Sequence, residues 1–239
     1  MVYVDLGQYQ KALDARNTLL EITPNRPSSI LLRADIHFVL GNYAAGMADC
    51  RKVVELSPLK VRAWYALALA HLHGADNDGY RQVCAGMLER FQGSTDSHAL
   101  YFTAWTCLLG PNAVTDWKQP LTVAEKLLAE DPNNCDKLNT LGGILFRASR
   151  LDEAAARLTE AEAAFKDTSN LRGSILYNWL LQAMTQYHLG NSEQAEAYYD
   201  QAMKQVAQPT PNGTTPVGWN RQLTLRLLRQ EYESLTKEQ

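Results

Sequence analysis

Apolar residues recur along this chain at spacings of three and four, which marks one buried face of a helix, and the stretches come in pairs. The spacing predicts helices over 29–40 and 43–56, then over 61–73 and 80–91, then over 97–109 and 120–130. Leu138, Leu141, Gly142 and Leu145 share one face of the next segment, and Leu151, Ala154, Leu158 and Ala161 share one face of its partner. A further pair carries Trp179, Ala183, Leu189, Ala195, Tyr199 and Ala202. A last amphipathic segment, 219–237, sets Trp219, Leu223, Leu227 and Tyr232 near one face, with Arg, Gln and Glu elsewhere. No alternating, strand-like stretch competes with these, so the chain is expected to be all-α.

The pairs share a register. Leu6-Gly7-Gln8-Tyr9 returns as Leu40-Gly41-Asn42-Tyr43, and Pro24 returns as Pro58, both 34 positions on. A fixed period of this length predicts stacked helix pairs, each unable to bury its apolar face alone. Gly41 is placed to end a helix in the left-handed region, and Pro58 bars continuation of the next. Ala34 and Gly46 let the two helices approach, and the helix propensity lost at Gly46 implies a packing reason. The register divides the chain into a partial unit (1–26), units at 27–60, 61–96, 97–134, 135–167 and 174–207, and a closing helix at 218–238. Departures are a wide turn at 73–79, Tyr80 where a small residue belongs, about six residues inserted in the third unit, and a loop near 166–172. The closing helix, after a turn-rich segment at 208–218, is expected to shield the end of the stack.

Composition narrows the chemistry. Of 239 residues 46% are apolar and 21% charged, with a net charge of −3. Lys and Arg are scattered, so no basic field awaits nucleic acid. No apolar run is long enough to span a membrane, and the N-terminus lacks the pattern of a signal peptide, so a cytoplasmic chain is expected. Cys50, Cys84, Cys107 and Cys135 form no close pairs and read as small buried hydrophobes. His71 and His73, two apart on a helix, do not share a face. No phosphate-binding loop, HExxH or nucleophile elbow occurs. Asp76-Asn-Asp-Gly79 lacks the spaced ligands of a calcium loop, and Asn212-Gly-Thr214 reads as a turn. No catalysis, metal or cofactor is expected.

Trp64, Leu67, Ala68, Gly41, Tyr43, Ala154, Ala161, Trp179, Ala183, Ala195, Tyr199, Ala202, Pro24, Pro58 and Pro132 sit where tetratricopeptide (TPR) repeats carry their pattern. The chain resembles that family over nearly its whole length. The stretches 80–91, 104–111 and 138–142 also resemble TPR segments of large planctomycete-type bacterial signalling proteins. The resemblance implies a right-handed α-solenoid and a protein–protein interaction scaffold that binds a peptide or protein in its concave groove. The family's groove positions fall here on Leu31, Asp35, Phe38, Arg62, Tyr65, Leu69 and His73. Further along they fall on Asp136, Asn139, Phe146, Arg147, Tyr177, Leu180, Met184 and Tyr187. Arg62 stands without the Lys and Asn partners of the family's chaperone-tail clamp. An alternative is a regulatory or substrate-docking segment of a bacterial Ser/Thr kinase or other enzyme whose catalytic domain lies elsewhere.

The register places Tyr3 within a first helix whose opening turns are missing. The expectation is therefore the C-terminal part of a longer protein, with Leu6, Leu13 and Leu19 facing an absent neighbour and upstream domains of the same polypeptide as further candidate partners.

Overall fold

The computed structural model describes residues 2–165, 174–207 and 218–237, and these are helical with no strand. A short α1 (Val2–Asp5) precedes α2 (Tyr9–Ile22). Five pairs follow: α3 (Pro27–Val39) with α4 (Tyr43–Leu56), α5 (Val61–His73) with α6 (Asn77–Phe91), α7 (Ser97–Leu108) with α8 (Lys118–Ala129), α9 (Cys135–Arg147) with α10 (Leu151–Ala164), and α11 (Ser174–His188) with α12 (Ser192–Val206). The last helix is α13 (Trp219–Lys237). Each second helix packs on its partner and on the first helix of the next unit, and α5, α7, α9 and α11 also touch in sequence. The result is a solenoid of stacked helix pairs, as the period predicts, with the first helices on the inner, concave side that the resemblance implies.

Local chemistry explains the regularity. A Cβ on Gly46 would lie 2.6 Å from the Phe38 ring, so the missing side chain is what seats that ring between α3 and α4. The turn of each regular pair contains one left-handed residue: Gly41 at φ 77° and Gly190 at φ 83°, but Ala75 at φ 54° and Ser149 at φ 59° in their units. Ala75 lies 34 residues after Gly41 and keeps its conformation without its glycine, at a cost of about 1 kcal/mol.

Ala75 also corrects the reading of the second turn, which is no wider than the first. The Asp76 carboxylate accepts from the Gly79 amide at 2.9 Å. That side-chain cap recruits Asn77, Asp78 and Gly79 into the first turn of α6, three residues whose weak helix propensity had argued for a loop. The third unit does carry a wide turn between Leu108 and Lys118. Tyr80 explains it: fully buried, its hydroxyl donates to the Thr106 carbonyl at 2.7 Å and accepts from the Gly110 amide at 3.1 Å. A side chain that large, where a small one is usual, fills the space between α6 and the displaced turn. The loop expected near 166–172 and most of the segment at 208–218 lie outside the described residues.

Two expectations at the ends change. Leu13 is buried with Ala12 and Ile36 rather than facing an absent neighbour, because α2 closes on α3. Leu6 is 63% exposed. The closing helix is in the wrong place for an end shield alone. Its C-terminal half reaches the last unit, where Tyr232 stacks on Tyr199 with ring centroids 4.6 Å apart. Its N-terminal half runs along the concave face past α5 to α3. Leu223, Leu228 and Tyr232 join the main core, which a helix resting only on α12 could not achieve.

Candidate functional site

The concave face is the site toward which the sequence pointed, and α13 lies in it. At its N-terminal end the Trp219 indole donates to the Asp35 carboxylate at 3.1 Å, and its ring lies 4.3 Å from that of Phe38. One turn on, the Tyr65 hydroxyl and the Thr224 hydroxyl are 3.5 Å apart. Toward the C-terminal end Arg147 pairs with Glu231 through both terminal nitrogens, Nη2 to Oε2 at 2.7 Å. The Tyr187 hydroxyl donates to the Leu235 carbonyl at 2.8 Å. Five of the expected groove residues, from four different units, therefore hold one helix.

The others divide by depth. Leu69, Leu180 and Met184 are fully buried in the core that includes Leu228, and Tyr177, Phe146 and Asn139 are nearly so. Leu31 and Asp136 are half-buried, while Arg62 and His73 remain exposed. Arg62 reaches Asp35 at 3.3 Å, and His73 stacks on Tyr43 with centroids 3.8 Å apart. His71 bonds Asp76 instead, at 2.8 Å, so the two histidines are separated as their spacing predicts.

Electrostatics follow from burial. Desolvation raises the Asp35 carboxyl above the usual carboxylate range, although Arg62 and the Trp219 indole pull the other way. The Tyr65 phenol is raised for the same reason. Arg147 keeps only 4% of its side chain exposed and also donates from Nε to the Leu108 carbonyl at 2.8 Å. Burial, with Asp35 and Asp49 nearby, pushes the Cys50 thiol up to about 12, which makes it a packing residue. Among the described residues no cluster of three potential metal ligands occurs, and no helix is long and apolar enough to cross a membrane.

Residues of the third unit were missed. Tyr101 and Tyr65 each stand four positions past the start of their helices. Tyr101, Phe102 and Trp105 form an aromatic seam that joins Tyr65 (5.0 Å from Phe102) to Tyr177 (5.2 Å from Trp105). The inserted residues had blurred the register that would have found them.

Tetratricopeptide repeat family models match residues 31–95 and 176–205. The chain carries tetratricopeptide repeats at those residues. The fold is similar to a tetratricopeptide repeat protein from Parabacteroides merdae, with a TM-score of 0.62, 16% identity, and coverage of 99% of this chain and 80% of that one. It is also similar to PilW, described as a widely conserved type IV pilus biogenesis factor, with a TM-score of 0.59, 15% identity, and coverage of 87% and 91%. In sequence the chain is 25% identical over 181 residues to the type IV pilus assembly protein PilF of Pseudomonas aeruginosa. That match covers 72% of this chain and spans 66% of the relative's length. Repeats of this kind form scaffolds for protein–protein interaction.

Proposed function

We propose that this chain is a scaffold that docks a protein partner on its concave face. Its setting is the assembly of a larger surface structure such as a type IV pilus. The carrying observation is that side chains from four units converge on a single helix-shaped occupant. A surface that already grips one helix through aromatic, aliphatic and charged contacts has the mixture that suits a helix laid in a groove. The pilus setting rests on the similarity to PilF and the fold shared with PilW, and it favours assembly over the kinase-docking alternative.

The test is affinity capture from the native organism, followed by identification of what is bound. Replacing Tyr65 and Tyr177 together with Ala is expected to reduce capture of a specific partner while leaving the helical circular dichroism intact. An unchanged set of captured proteins would remove the concave face from consideration. Capture of proteins unrelated to surface assembly would remove the setting.

A further inference from the structure

The occupant of the groove has a readable pattern. On α13 the side-chain contacts include Trp219, then Leu223 four residues on, Thr224 five on, Leu228 nine on, and Glu231 and Tyr232 twelve and thirteen on. Leu223 and Leu228 are buried to 1% and 0% exposure. The two charged anchors of the groove have opposite signs and are far apart. Asp35 meets the first residue of α13, the positive end of the helix dipole, and Arg147 meets a carboxylate twelve residues later. In a helix that separation is about 18 Å, whereas an extended peptide would cover it in about five or six residues. Size, spacing and polarity thus select a helix running in one direction, from the α3 end to the α11 end.

The anchors also constrain what can replace it. With Glu231 gone, the Arg147 guanidinium is left buried without a carboxylate, which is strongly unfavourable, so an incoming ligand must bring an acid of its own. Because α13 belongs to the same chain as its groove, it has a high effective concentration there, so a free competitor is disfavoured until α13 is weakened.

We infer that α13 is a displaceable internal occupant, and that the groove's ligand is an amphipathic partner helix repeating its pattern. That pattern is an N–H-bearing aromatic, aliphatic residues four and nine positions on, an acid at twelve and an aromatic at thirteen. The inference rests on the reading of the concave face as a docking surface.

The experiment uses the full chain and a fluorescein-labelled synthetic peptide of sequence 218–237. Leu228→Glu places a charge in the centre of the apolar stripe of α13 and leaves the repeats untouched. The Leu228→Glu chain is expected to bind the peptide at least ~10-fold more tightly than the unaltered chain. A peptide carrying Trp219→Ala and Glu231→Lys is expected to bind neither. Native-state hydrogen exchange on the unaltered chain supplies a measure free of any variant. The amides of α13 are expected to exchange at least ~10-fold faster than those of α9 and α11. Equal exchange, or a Leu228→Glu chain that keeps its helical signal yet binds no peptide, overturns the inference. So does a dimer in sedimentation equilibrium that exchanges α13 between two copies. The docking reading fails separately. If Tyr65→Ala with Tyr177→Ala abolishes partner capture, but Leu228→Glu does not raise it and the peptide does not compete, the surface stands and the displaceable helix falls.

Discussion

Arg147 and Glu231 lie 84 residues apart in sequence, yet their side chains pair across the groove, the guanidinium 4% and the carboxylate 20% exposed. The pair joins the end of α9 to the second half of α13, beneath the Phe146 ring, whose centroid lies 5.2 Å from the guanidinium carbon.

Removing one partner of so buried a pair strands the other. Arg147→Ala is expected to cost about 2–4 kcal/mol in urea unfolding. Replacing both, as Arg147→Met with Glu231→Leu, is expected to recover most of that loss. A double variant as unstable as the single one would mean that the damage comes from lost packing rather than from a stranded charge.

Tyr80 makes a second prediction. Its hydroxyl serves the Thr106 and Cys107 carbonyls and the Gly110 amide, and the side chain is fully buried. Tyr80→Phe keeps the ring and removes the hydroxyl that the buried Gly110 amide donates to, so thermal unfolding is expected to show a loss of about 1–3 kcal/mol. The same change at Tyr198, which is only half-buried, serves as the control and is expected to be nearly neutral.

Ala75 occupies the left-handed turn position at φ 54°. Ala75→Gly removes the strain, while glycine's extra freedom in the unfolded chain offsets part of the gain. The net expectation is a stabilisation of about 0.5–1 kcal/mol, read from the urea midpoint. Ala70→Gly, in the interior of α5, is expected to move the midpoint the other way.

Asp35 gives stability a pH dependence of known sign. Its folded-state pKa is raised, chiefly by burial. The folded chain therefore holds this proton more tightly than the unfolded chain, and the group favours folding most when protonated, below the unfolded value of about 3.9. As pH climbs through that value toward the folded one, its contribution falls. Asp35→Asn is accordingly expected to raise Tm at pH 7 by about 1–2 °C and to change little at pH 3.5. A lower Tm at pH 7 would show that Arg62 and Trp219 more than repay the desolvation of the charge.

Much of the architecture was readable in the sequence because each unit repeats the same local problem. Gly41 and Pro58 mark helix ends by backbone geometry alone, and Phe38 with Gly46 makes a pair whose fit is visible in residue size. The second turn was misread because capping by the Asp76 carboxylate is a hydrogen bond, and no apolar period reports it. The seam through Tyr101, Phe102 and Trp105 was hidden by the insertion that Tyr80 accommodates. The amphipathic character of α13 was legible, but Leu228 rather than Leu227 is its fully buried position, and its destination was not legible. Which apolar face in the chain it meets depends on the curvature of the whole stack, and no local window contains that information.

The bond between Trp219 and Asp35 spans 184 residues. An ordinary repeat array touches only nearest neighbours, so it can melt from either end, one unit at a time. Here a single strut ties the first complete pair to the last, so neither of those pairs can detach without breaking it. The chain has converted a one-dimensional stack into a closed ring of contacts. Its unfolding is expected to be sharper, and its folding slower through the loop that must close last, than its helical content alone would suggest.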